Sequence, residues 1–157
     1  MPTTTEQAVQ SLEVIKKEEV AAPIDVVFET ILEQLGPLNE TPDGTPLPMK
    51  LEPWPGGRWF RDFGNNTGHL WGHLQAIRPN DLLEIHGPMF MSAPAISHVL
   101  FRLKEEDGTT HVQFSHRTIG LIPGELMDGI DINRGWANYL SKVRTRAERR
   151  MNDTQGA

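Results

Sequence analysis

The apolar positions change their period along the chain. In the stretch SLEVIKKEE, Leu12, Val14 and Lys16 alternate with Glu13, Ile15 and Lys17. That imperfect period of two predicts a twisted or edge strand over 11–19. Ile24, Val27, Phe28, Ile31, Leu32 and Leu35 then recur at helical spacing. Pro23 suits a first helical turn, Asp25 favours the positive helix end, and Gly36-Pro37 stops the helix. Residues 37–48 are rich in Pro, Gly, Asn, Asp and Thr and predict a loop. Short strands follow over 49–54 and 58–63, on either side of the turn Pro55-Gly56-Gly57, and Gly64-Asn65-Asn66-Thr67-Gly68 forms the next turn. From about Asp128 to Arg150 the period is helical again, with Ile132, Trp136, Tyr139, Leu140, Val143 and Ala147 as the buried stripe.

Two hairpins lie between. A two-residue Asp107-Gly108 turn pairs Glu106 with Thr109, and so Leu103 with Val112, Phe101 with Phe114 and Val99 with His116. That face is apolar except for His116; the other pairs Arg102 with Gln113, Leu100 with Ser115 and His98 with Arg117. The earlier hairpin, 69–77 with 82–87, turns at Arg78-Pro79-Asn80-Asp81 and pairs Ile77 with Leu82, Gln75 with Glu84 and His73 with His86. Leu70, Gly72, Leu74, Ala76, Leu83 and Ile85 are assigned to the inner face, with His69 and Trp71 outside. Gly72 and Ala76 either leave room for a ligand or let the long helix approach closely, and close packing favours the second.

One strand, one helix, a run of about six strands and a long amphipathic helix make an α+β domain. The last helix needs a sheet face to cover, so the sheet must curl around it. A chain of 157 residues suits one domain. Residues 11–150 are expected to form it, with disordered tails over 1–10 and 151–157. The absence of cysteine removes disulfides, thiolate nucleophiles and Cys-ligated zinc. A net charge of −6 disfavours nucleic acid and anionic membranes. The polar start MPTTTEQAVQ and the lack of a long apolar run predict a cytoplasmic protein.

Several pieces, in order, carry a family resemblance: Ala21-Ala22-Pro23 leading into PIDVVFETI, the turn Pro55-Gly56-Gly57-Arg58-Trp59, the hairpin GHLQAIRPNDLLEI, the strands VLFRL and HVQFSHRTIG, and Gly135-Trp136. From about Ser11 to Glu148 the chain resembles the START-like, or SRPBCC, superfamily, in the branch similar to the activator of heat-shock protein 90 ATPase. The resemblance implies a helix-grip fold, in which a curved antiparallel sheet of about six or seven strands wraps a long C-terminal helix around an elongated cavity. It implies no single activity, since members include lipid and hormone binders, polyketide cyclases, aromatic-ring oxygenase domains and chaperone co-activators.

Among single residues, His116 stands out, because an imidazole on an apolar face can hydrogen-bond a ligand or move a proton. A His bonded to a core partner is the commoner case. His69 and His73 are four apart on a strand, about 13 Å, and cannot share an ion. His73 and His86 lack a placed third ligand, so no metal site is assigned. Arg58 can cap a cavity mouth or pair with Glu52 or Asp62. Pro88-Met89-Phe90-Met91-Ser92-Ala93-Pro94 is either an adaptable apolar lid or a loop packed on Leu121–Met127. Trp136 packs the last helix on the sheet, with Gly135 permitting close approach.

The expected function is cofactor-free, non-enzymatic binding of a small apolar or amphipathic molecule between sheet and helix. The contact residues expected are Leu74, Phe101, Phe114, His116, Trp136 and Leu140, with Arg58 at the mouth. The alternatives are a cyclase- or hydrolase-like enzyme using His116, and a chaperone co-activator-like interaction domain. Monomer and homodimer through the Trp71 face both stay open.

Overall fold

The computed structural model describes residues 8–127 and 130–155. Strand β1 (Gln10–Val20) and helix α1 (Ile24–Leu35) open the chain; β2 (Lys50–Leu51), β3 (Arg58–Gly64), β4 (Thr67–Arg78), β5 (Leu82–Gly87), β6 (Ala95–Glu106) and β7 (Thr109–Gly120) follow. After a single 3-10 turn over Gly124–Leu126, helix α2 (Ile130–Gln155) closes the fold. The strands form one antiparallel sheet in the order β1-β7-β6-β5-β4-β3-β2. This is the expected α+β helix-grip arrangement, with the sheet left open rather than closed into a barrel.

The grip forms because both helices present apolar stripes to one sheet face. Ile132, Trp136, Tyr139, Leu140, Val143 and Ala147 of α2 are all buried, as the helical period requires. Trp136 sets its ring 4.5 Å from that of Phe114 on β7 and 6.4 Å from that of Phe101 on β6. Val27, Phe28, Ile31 and Leu35 of α1 complete the core. Gly36 ends α1, its amide bonding the carbonyls of Leu32 and Glu33.

The β6–β7 register is as read from the Asp107-Gly108 turn, including Phe101 opposite Phe114 and Val99 opposite His116. The β4–β5 register departs from expectation beyond His73–His86. An extra residue at Gln75 places Ile77 opposite Leu83 and Arg78 opposite Leu82. A second bulge corrects the face assignment of β4. Trp59 pairs with Gly72 and Phe60 with Leu70, leaving Trp71 as the unpaired extra residue. The bulge turns Trp71 inward, where it is 9% exposed, and Leu70 outward, at 39%. A dimer face centred on Trp71 is therefore excluded. Gly72 serves strand contact rather than helix approach, because a Cβ there would meet the His86 carbonyl at 2.7 Å.

Helix α2 continues to Gln155, so 151–155 are helical rather than part of a tail. Of the other expected tail segments, 1–7 and 156–157 lie outside the described residues, as does the Asp128 start expected for α2. No helix among the described residues is long and apolar enough to cross a membrane.

Candidate functional site

His116 lies on β7 and is 1% exposed. Trp136 Nε1–H donates to its Nδ1 at 2.8 Å. An imidazole nitrogen that accepts carries no proton, so the proton sits on Nε2. Nε2 lies 2.9 Å from Ser97 Oγ and 3.1 Å from Thr118 Oγ1, and those hydroxyls are 2.7 Å apart. Burial lowers the His116 pKa to about 4, so the ring is neutral at pH 7. Its one ring lone pair is occupied by the Trp136 donor. What it does is hold the Trp136 indole in one orientation.

The other expected contact residues separate. Leu74, Phe101, Phe114 and Leu140 belong to the packed core. Phe101, Phe114, Trp136 and Tyr139 stack on one another in the space where an elongated cavity was expected. Arg58 is exposed and grips Glu52 with two hydrogen bonds of 2.9 Å, while its guanidinium lies 4.4 Å from the centre of Phe60. Those bonds hold the Glu52 carboxyl down at about 2. Arg58 is thus a surface ion-pair residue, not a cavity cap. His73 and His86 face each other with ring centres 6.2 Å apart. No group of three His, Asp or Glu side chains placed to share a metal occurs among the described residues.

One pocket with a mostly apolar, ring-rich lining opens beside the 37–48 loop, with a volume of about 290 Å³. Its walls are rings: Trp59 from β3, Trp71 from the β4 bulge, Phe90 from the β5–β6 loop, and Trp136 and Tyr139 from α2. Trp59 and Trp71 meet edge to face at 5.1 Å, Trp71 and Phe90 at 5.9 Å, and Trp136 and Tyr139 at 5.4 Å. Only Trp136 of the expected contact residues lines it.

The polar handle of each indole and of the tyrosine points back into protein. Trp59 Nε1–H donates to the Leu35 carbonyl at 2.8 Å, and Trp71 Nε1–H to His69 Nδ1 at 3.1 Å. Tyr139 Oη–H donates to the Ile31 carbonyl at 2.8 Å, and burial pushes its pKa up. With Trp136 committed to His116, these rings offer the pocket carbon faces and edges rather than hydrogen bonds.

The 37–48 loop forms a strap over the pocket. Asn138 Nδ2–H donates to the Pro42 carbonyl at 2.7 Å, and Lys142 of α2 pairs with Glu40. A Cβ at Gly135 would meet Pro42 Cγ at 3.4 Å. Gly135 thus receives the strap, which corrects its expected role of letting α2 approach the sheet. Met91 of the β5–β6 loop is buried in the core, Met89 is buried and also lines the pocket, and Phe90 forms pocket wall. The loop is therefore both packing and wall. Trp71 and the strap are the parts that sequence reasoning missed. The Trp71 bulge has no local signature, and only the Pro/Gly-rich composition of 37–48 hinted at an ordered covering loop.

A depression of about 550 Å³ on the outer sheet face has Glu13 and Arg117 in its lining, and these form an ion pair of 2.6 Å. A groove of about 1080 Å³ along β2, β3 and β4 is half polar. Both are more open than the aromatic pocket, and neither is walled by aromatic rings from several elements.

No protein-family model matches the chain, and no curated protein matches it. Solved structures do. Protein CV1439 from Chromobacterium violaceum is 16% identical with a TM-score of 0.64, the match covering 87% of this chain and 96% of that one. CalU16 from Micromonospora echinospora is 19% identical with a TM-score of 0.60, over 96% of this chain and 90% of that one. The Aha1 dimer from Colwellia psychrerythraea is 15% identical with a TM-score of 0.60, over 87% and 96%. At these identities the shared property is the course of the backbone. Strand order, the clasped α2 and these likenesses together give the chain the helix-grip fold that these structures share.

Proposed function

We propose that the protein binds a small apolar or amphipathic molecule in the aromatic pocket beside the 37–48 loop, without transforming it. The observation that carries this reading is the ring-lined pocket of about 290 Å³, whose Trp and Tyr polar atoms are all turned away from it. Such a lining rewards burial of carbon surface at roughly 25 cal/mol per Å² and gives little to a strongly hydrated molecule. The volume suits one ring with a short substituent rather than a long-chain lipid.

A cyclase- or hydrolase-like role through His116 finds no support, because both ring nitrogens are engaged and the ring is uncharged at neutral pH. The test is calorimetric titration with tert-butylbenzene. Saturable one-to-one binding that is lost in Leu47→Trp, which fills the pocket from the strap, supports the proposal. Binding that does not saturate, or that is indifferent to Leu47→Trp, refutes it.

A further inference from the structure

We infer that the pocket selects a cationic ligand, specifically an aromatic or alkyl quaternary ammonium. This inference rests on the proposed small-molecule reading and adds the charge of the ligand to it. Its first support is the identity of the walls. Trp59, Trp71, Trp136, Tyr139 and Phe90 surround the space, and the heteroatom hydrogens of the indoles and phenol are committed to protein acceptors. An aromatic ring face is electron-rich, and its quadrupole attracts a cation placed over it; tryptophan does so most strongly. A methylated ammonium has no N–H that needs a partner, so the missing acceptors inside the pocket cost it nothing.

The second support is independent and comes from the rim. Among the described residues, the charged side chains in the lining are Glu40 and Asp131, both carboxylates, with no Lys, Arg or His. Their counter-ions, Lys142 and Arg134, stand on α2 outside the lining. Each ion pair therefore turns its negative end toward the pocket. The chain's net charge of −6 adds a field of the same sign. His116, behind Trp136, is neutral and does not oppose it. A carboxylate ligand would meet aromatic rings and the acidic Glu40 and Asp131, with no cationic side chain in the described lining to receive it.

Isosteric probes isolate the charge. Phenyltrimethylammonium, tert-butylbenzene and 2-methyl-2-phenylpropanoate share a shape and differ in charge, and each can be titrated by calorimetry into the wild-type protein at low ionic strength. The cation is expected to bind roughly tenfold tighter than tert-butylbenzene, with the carboxylate weakest. In the variant carrying Glu40→Gln and Asp131→Asn, the ratio of cation to neutral affinity falls. Equal or tighter binding of tert-butylbenzene by the wild type overturns the charge preference while leaving an apolar pocket standing. An unchanged ratio in the variant overturns the contribution of the rim. Failure of all three probes to saturate overturns the binding reading itself.

Discussion

Removing the indole N–H of Trp136 from the core tests how the pocket wall is held. Trp136→Phe keeps an aromatic ring against Phe114, where the native rings are 4.5 Å apart, but deletes the Nε1–H that His116 Nδ1 accepts at 2.8 Å. A nearly fully buried acceptor without a partner costs about 1–3 kcal/mol. The smaller ring leaves a void that adds on the order of 1 kcal/mol. The substitution should therefore destabilise the protein by roughly 2–4 kcal/mol, read as a lower midpoint in urea unfolding followed by far-UV circular dichroism. His116→Phe removes the acceptor instead and leaves Ser97 and Thr118 to bond each other at 2.7 Å. The double variant should be less destabilised than the sum of the single ones, with a coupling of about 1 kcal/mol or more. A Trp136→Phe cost under about 0.5 kcal/mol, with additive single effects, would refute the view that His116 serves as the anchor of this indole.

Acid should weaken the fold through the same histidine. Its pKa is about 4 when folded against 6.5 for the free side chain, so its contribution is complete above pH 6.5 and is lost as pH falls toward 4. The loss reaches about 3 kcal/mol, and a flat difference between wild type and His116→Phe over that range would contradict it. Trp71→Ala should cost about 3–5 kcal/mol while Leu70→Lys stays within about 0.5, a contrast that thermal unfolding reads directly and that the unbulged face assignment would reverse. Gly135→Ala should stabilise by up to about 1 kcal/mol, because the added methyl meets only Pro42 at an ordinary contact distance; marked destabilisation would show that α2 needs the glycine elsewhere. Asn138→Ala frees one attachment of the strap and should raise the dissociation rate of tert-butylbenzene, which stopped-flow fluorescence can follow.

The sequence discloses those features whose physics is local. Helix α1 runs from Ile24 to Leu35 as the spacing of Val27, Phe28, Ile31 and Leu35 dictates, and Gly36-Pro37 stops it. The Asp107-Gly108 turn, with φ of 52° and 79°, fixes the whole β6–β7 register and so places His116 on the inner face. What fails is the reading of β4, where strict alternation is broken twice. A bulge depends on how neighbouring strands twist together, and nothing in the stretch TGHLWGHL announces that Trp71 rather than Leu70 faces inward.

The candidate site was only partly legible for a related reason. Leu74, Phe101, Phe114 and Leu140 are apolar and inward-facing, which identifies them as core but does not say whether they meet a ligand or each other. Their rings and branches fill the middle of the grip, and the open volume lies nearer the strap. His116 looks reactive in the sequence because its partners, Ser97, Thr118 and Trp136, come from separate elements. Once they are assembled, a candidate acid or base becomes a satisfied structural group.

The proposed binding brings a small molecule among the rings of Trp59, Trp71 and Trp136. The chain contains four tryptophans, and the remaining one, Trp54, stands 54% exposed on the turn before β3, outside the pocket lining. Indole N–H resonances in a nitrogen-15 correlation spectrum therefore contain their own control. Titration with phenyltrimethylammonium or tert-butylbenzene should shift the three pocket indoles along one saturating curve and leave Trp54 in place. Movement of Trp54 alone, or no movement of the other three at saturating probe, would contradict the account.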